Sequence, residues 1–201
     1  DYDRSIANNS SFAQAYNNRG ITKVKLEDYS GAAADYSKAI ELDMNYTKAY
    51  YNRGNAYIKL KEYDKAVNDY NKAIDLNDKD SDAYNNRGIA KSEIKDLNGS
   101  IEDYNTAIKL KPDYAQGYNN RGIVKIKLKQ YSEAIEDFNR AIELNPDYMQ
   151  AYHNRSIAKK AMNDIQGASD DAEKSKQISS KISAADSGGK DTAKYSDKAL
   201  Q

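Results

Sequence analysis

Small and apolar residues run along this chain in two alternating helical stripes, and the pair of stripes returns every 34 residues. Setting a recurring Gly at position 8 of each period gives units 13–46, 47–80, 81–114, 115–148 and 149–182. In the first half, positions 3, 4, 7, 8, 10, 11 and 14 share one helical face at about 100° per residue. They hold Ala or Gly, Tyr, Arg, Gly or Ser, small or β-branched residues, Lys or Tyr, and Leu, Ile or Met. Positions 2, 5, 6, 9, 12 and 13 make the opposite face. The second half repeats the device with Tyr at 17, Ala at 20, Ile or Val at 21, Tyr at 24 and Ala-Ile at 27 and 28. Each unit thus predicts two amphipathic helices joined by a short turn, such as Lys61-Glu62 or Asp96-Leu97-Asn98. The whole chain predicts ten consecutive helices over residues 13–178, paired antiparallel, with no strand.

One hexapeptide fixes the phase. Ala15-Tyr16-Asn17-Asn18-Arg19-Gly20 returns as Ala49-Tyr50-Tyr51-Asn52-Arg53-Gly54 and Ala83-Tyr84-Asn85-Asn86-Arg87-Gly88. It returns again as Gly117-Tyr118-Asn119-Asn120-Arg121-Gly122 and Ala151-Tyr152-His153-Asn154-Arg155-Ser156. A fixed period of this length is the mark of a stacked array, in which each unit needs only its neighbours. A mid-helix Gly costs about 1 kcal/mol, which suggests close approach of a large ring such as Tyr36 or Tyr70. Pro112 and Pro146 stand where helix continuation must stop.

The ends keep the phase less well. Asp1-Tyr2 and Ile6 precede Asp35-Tyr36 and Ile40 by one period, so residues 1–12 read as the second-helix remnant of a truncated repeat. The chain therefore reads as a fragment. In the fifth unit Ser156, Ala172 and Lys176 replace Gly, a ring and Ile, as a terminal cap requires. Residues 183–201 form a polar tail, with 179–191 expected to be mobile and 193–200 a candidate short helix.

Tyr-x-x-Arg-Gly, then Ala at 20, an aromatic at 24, Ala at 27 and Pro at 32, resembles the tetratricopeptide repeat (TPR). The resemblance spans residues 1 to about 182. Three departures mark the local version: Tyr for Trp at position 4, Arg for Leu at 7, and Lys23, Lys91, Lys125 and Lys159 for Tyr at 11. The resemblance implies an all-α, right-handed α-solenoid of antiparallel helix pairs, with a concave groove lined by first helices. It also implies protein–protein interaction, with a peptide or partner helix held in that groove.

Composition narrows the alternatives. Among 201 residues, 31 basic side chains balance 31 acidic ones, which argues against nucleic acid as the partner. No apolar run approaches transmembrane length and no signal peptide opens the chain. Without Cys there are no disulfides, thiolate metal sites or cysteine nucleophiles. With 39% hydrophobic residues, 18 Tyr and no Trp, the chain suits thin layers better than one thick core.

Two recurring residue types remain to be placed. Arg at position 7 falls on the buried face, where an unpaired charge is costly. Asp occurs 16 residues after it in all five units and also 18 residues before, so either could be its partner in a structural ion pair. The Asn row at position 6, Asn18, Asn52, Asn86, Asn120 and Asn154, projects to the expected concave face. It lies with Asn17, Tyr51, Asn85, Asn119 and His153 at position 5 and with Ile21, Asn55, Ile89 and Ile123 at position 9. A regular amide row can bond an extended peptide backbone without reading its sequence. It resembles the asparagine ladder in the TPR superhelix of O-linked GlcNAc transferases. The same amides could instead be solvated or bond neighbouring first helices. On the peptide reading, exchanging Asn52, Asn86 and Asn120 abolishes binding and leaves the fold intact.

The carboxylate clamp of chaperone-binding TPR domains is not matched, since Tyr51, Gln116 and Asn120 stand where its cations belong. His153 is the only histidine, so no triad, cofactor site or metal site is expected, and no enzyme. The favoured function is a protein–protein interaction scaffold. The alternatives are a homo-oligomer assembled through the truncated N-terminal repeat, or the targeting arm of a larger enzyme.

Overall fold

The computed structural model describes residues 12–188, with side chains described to residue 183. Ten helices and no strand occur among the described residues, as the two stripes per period imply. They are α1 (Ala13–Lys25), α2 (Tyr29–Leu42), α3 (Thr47–Lys59), α4 (Tyr63–Leu76), α5 (Ser81–Glu93), α6 (Leu97–Leu110), α7 (Ala115–Lys127), α8 (Tyr131–Leu144), α9 (Met149–Ala161) and α10 (Ile165–Gly188). The chain divides into two compact units, Asp1–Gly99 and Ser100–Gln201. Each is a stack of antiparallel helix pairs, α1/α2 and α3/α4 in the first and α7/α8 and α9/α10 in the second.

The core is a series of thin layers, three of them built from alanines around one ring. In the first unit Ala32, Tyr36 and Ala56 form one layer, and Ala66, Tyr70 and Ala90 the next. In the second unit Ala134, Phe138 and Ala158 repeat the pattern. Each ring is supplied by a second helix and covers the Gly of the first helix in its own pair. A Cβ on Gly20 would lie 2.6 Å from Tyr36 Cε1, one on Gly54 2.8 Å from Tyr70 Cε1, and one on Gly122 2.6 Å from Phe138 Cε1. Contacts under 3.0 Å are not tolerated without displacement, so the ring dictates the Gly. Where the fifth repeat loses its ring at Ala172, Ser156 fits, and its hydroxyl donates to the His153 carbonyl at 2.7 Å.

The turn inside every pair has one geometry. Glu27, Lys61, Lys95, Lys129 and Asn163 occupy the left-handed region, with φ of 60°, 59°, 70°, 61° and 65°. After α1, Asp28 N–H bonds Lys23 O at 2.9 Å and Glu27 N–H bonds Val24 O at 3.0 Å. These are the two bonds of a Schellman C-cap, and the other four turns make the same pair. Asp28, Asp96 and Asp164 then cap the following helix by accepting from Gly31, Gly99 and Gly167 N–H at 2.9, 3.0 and 2.9 Å.

The last helix differs from expectation. It runs to Gly188, past the expected end of the repeat at residue 182, and so includes much of the stretch expected to be mobile. No Pro or Gly interrupts it between Gly167 and Gly188, and it is pinned along one side. Ile178 is buried and the Ser175 hydroxyl donates to Met149 O at 3.2 Å. The expected remnant at residues 1–12, apart from Phe12, and the candidate helix at 193–200 lie outside the described residues.

Candidate functional site

In the four repeats where both residues lie within one unit, the Arg pairs with the Asp of its own repeat. Arg19 Nε and Nη2 donate to Asp35 at 2.8 and 2.6 Å, and Arg53 to Asp69 at 2.8 and 2.7 Å. In the second unit Arg121 meets Asp137 at 2.9 and 2.5 Å, and Arg155 meets Asp171 at 2.8 and 2.5 Å. The fork geometry satisfies both carboxylate oxygens at once. The third nitrogen, Nη1, bonds position 25 of the preceding repeat in each case where the bond lies within one unit. Arg53 reaches Ser37 Oγ at 2.9 Å, Arg87 reaches Asn71 Oδ1 at 2.8 Å, and Arg121 and Arg155 reach Asn105 and Asn139 at 2.6 Å. Each guanidinium also stacks over the Tyr one turn earlier, at 5.3–5.8 Å from Tyr16, Tyr50, Tyr84, Tyr118 and Tyr152. The Arg is therefore a structural joint between repeats. Its position-25 acceptor went unread in the sequence, although Ser or Asn recurs there in four successive units.

Lys at position 11 adds a second cation to three of these carboxylates: Lys23 on Asp35 at 2.9 Å, Lys125 on Asp137 at 2.8 Å and Lys159 on Asp171 at 2.9 Å. In the second repeat Tyr57 replaces that Lys, and the balance changes sign. Burial pushes Asp35 and Asp171 up, but hydrogen bonds from Arg and Lys outweigh it and hold both below the ordinary aspartate value. Burial also pushes Asp69 up, and Arg53 alone does not overcome it, so Asp69 stays above that value.

The expected groove residues separate into three groups. Asn17, Asn85 and Asn119 at position 5 are buried, as are Asn86 and Asn55. Asn18, Asn52, Asn120, Asn154, Tyr51, Ile89 and Ile123 are half-buried, while Ile21 and His153 are exposed. The burial at position 5 corrects the expectation that this row projects into an open groove. For Asn17 and Asn119 the cause is the first helix of the next repeat, whose position-6 amide seals them: Asn52 Nδ2 donates to Asn17 Oδ1 and Asn154 Nδ2 to Asn119 Oδ1, both at 3.0 Å. Asn86 donates instead to Tyr51 OH at 3.1 Å and Asn55 Oδ1 at 3.0 Å, and Tyr70 OH donates to that same Asn55 oxygen at 2.7 Å. Tyr51, its phenol pushed up to about 12 by burial, stays protonated and takes the acceptor role of the missing Asn. The amides thus form a ladder between neighbouring first helices. An exchange of Asn52 leaves the buried Asn17 oxygen without this donor, at a cost of about 1–3 kcal/mol, so removal of the ladder amides is expected to lower stability.

Among the described residues no group of three or more His, Cys, Asp or Glu could hold a metal ion, and no helix is long and apolar enough to cross a membrane.

Comparison with known proteins agrees with this geometry. The tetratricopeptide repeat family model matches residues 47–80 and 115–148, and a second TPR repeat model matches 22–61 and 92–129. No curated protein matches the chain in sequence. The crystal structure of MamA protein is similar at 23% identity and a TM-score of 0.75, over 86% of this chain and 94% of that one. YrrB, described as a TPR protein with an unusual peptide-binding site, is similar at 21% identity and a TM-score of 0.71, over 88% and 91%. The first TPR of Spaghetti (RPAP3), bound to an HSP90 peptide, is similar at 27% identity and a TM-score of 0.57, over 58% and 93%. The two family models together span more than half of the chain, and the matches at 47–80 and 115–148 each coincide with one 34-residue period: the chain belongs to the tetratricopeptide repeat family.

Proposed function

We propose that the chain is a protein–protein interaction scaffold that holds an extended peptide or a partner helix against its first helices. The observation that carries this is the amide ladder. It ties neighbouring first helices edge to edge and leaves half-exposed amides and aliphatic side chains at a regular interval. The bond from Asn52 to Asn17 uses one of the two N–H groups of Asn52. Its oxygen and second N–H remain to meet a ligand backbone, and Asn154 is in the same position. Ile21 and the half-buried Ile89 in the first unit, and Ile123 in the second, add apolar contacts beside the amides. The peptide-binding descriptions of YrrB and the RPAP3 domain support the reading by fold.

Selection of a random-peptide display library on the immobilised chain tests it. The peptides recovered should shift backbone amide resonances of the first helices, Ala13–Lys25, Thr47–Lys59, Ser81–Glu93, Ala115–Lys127 and Met149–Ala161. Ile21→Glu, at an exposed site outside the ladder, should weaken those that bind the first unit several-fold without changing the melting temperature. Shifts confined to the second helices would place binding elsewhere.

A further inference from the structure

The chain has no Cys, so the thioethers of its three Met residues are its only sulfur atoms. They stand in three different settings. Met44 lies in the link between α2 and α3 and is 73% exposed. Met149 opens α9 and is half-buried, with its carbonyl bonded by the Ser175 hydroxyl. Met162 follows the last residue of α9, at position 14, where the four preceding repeats hold Leu26, Leu60, Ile94 and Leu128. It is 49% exposed and lies outside the layer of Ala134, Phe138 and Ala158. Among the described residues, Met162 is the one Met whose sulfur receives a hydrogen bond: Ser132 Oγ donates to Met162 Sδ at 3.6 Å. Ser132 stands in the first turn of α8, so this contact joins the fourth repeat to the fifth.

A thioether is a weak acceptor. Peroxide changes that. The sulfur lone pair takes one peroxide oxygen, the O–O bond breaks, and the other oxygen leaves as water. Sulfur loses two electrons and the peroxide gains them. In a packed core the resulting sulfoxide puts a polar group among apolar ones. Met162 offers the opposite setting: its sulfur is open to the oxidant, no core layer holds its side chain, and a hydroxyl donor already faces it. Three rotatable bonds let the side chain draw back and make room for the added oxygen.

We propose that Met162 is a site of reversible oxidation by peroxide, at which Ser132 donates to the sulfoxide oxygen and tightens the junction between the fourth and fifth repeats. Met44 oxidises as readily but has no donor placed to bond its product, and Met149 is shielded. The junction therefore responds to oxidant at one atom, and methionine sulfoxide reduction restores it.

Each Met falls on its own tryptic peptide, residues 39–48, 141–155 and 161–174, so mass spectrometry reads the three separately. In the folded full chain treated with hydrogen peroxide, Met44 and Met162 should reach half-oxidation at least about fivefold sooner than Met149. Met44→Leu removes the silent site. Oxidation of that variant should raise its melting temperature by about 2–4 °C, and a methionine sulfoxide reductase should reverse the rise. Adding Ser132→Ala, at an exposed site, should leave the oxidation rate unchanged and abolish the rise. Adding Met162→Leu should remove the response altogether. Three results would each overturn the proposal: a lower melting temperature on oxidation, an equal rise with and without Ser132, or oxidation of Met149 as early as Met162.

Discussion

At the scale of single residues, a left-handed turn position recurs in all five repeats and a Gly under a ring in the first, second and fourth, with opposite consequences for substitution. The left-handed position in the turn is filled by Glu, Lys or Asn and never by Gly. An L-residue there costs about 1–2 kcal/mol, so Lys61→Gly should stabilise the chain. A gain of about 0.5–1 kcal/mol is expected once the greater freedom of Gly in the unfolded chain is set against it, readable as a higher urea midpoint. The Gly under the ring is the reverse case. Gly54→Ala improves helix propensity but drives a methyl group into Tyr70, and should destabilise by about 1–3 kcal/mol. Ser156→Gly, where no ring stands above, should cost only the propensity term of less than about 1 kcal/mol. The close ring over Gly was legible in the sequence, because Gly and ring rise and fall together: both are lost in the fifth unit. The left-handed turn was not legible, because Lys and Glu carry no conformational signature.

At the scale of the helix pair, the Arg–Asp joint is where charge and packing meet. The sequence offered two partners for each Arg, and in the four pairs that lie within one unit the geometry selects the Asp of the same repeat. It also showed that replacement by Leu has no single cost. Arg53→Leu strands Asp69, which is 5% exposed and has no Lys at position 11, and should cost roughly 3–5 kcal/mol. Arg121→Leu leaves Lys125 on Asp137 and should cost about half as much, since one charge-assisted bond survives. Paired urea melts would decide it, with equal losses showing that the second cation does not matter. The same contrast sets a pH dependence. Asp35 and Asp171 titrate below their unfolded value, so their stabilisation is full above that value and is lost as pH falls through the lowered one. Asp69 titrates above its unfolded value, so its charge opposes folding at neutral pH. That opposition is relieved as pH falls through the raised value. Carboxyl-carbon titration should place Asp69 above Asp35, and Tyr57→Lys should bring Asp69 down towards it.

At the scale of the whole molecule, stability is a sum over pairs and the junctions between them. The period made the helices, their pairing and their phase legible from Tyr, Gly and Ala alone. It did not show that Asn17 and Asn119 are sealed, because a helical wheel distinguishes core from surface but not the flank that the next helix covers. Nor did it show the full length of α10, whose Ser-rich composition masked an uninterrupted helix. The ladder and the Arg joint share one property: each links a fixed position in one period to a fixed position in the next. Excision of residues 47–80, one whole period, would bring Asn86 to face Asn17 and Arg87 to face Ser37, donor to acceptor as before. The shortened chain should keep its helical content per residue by circular dichroism and melt cooperatively, while removal of half a period should abolish the cooperative melt. A gene encoding such a chain can therefore gain or lose repeats by unequal crossing-over, and the products that survive will differ in length by whole multiples of 34 codons.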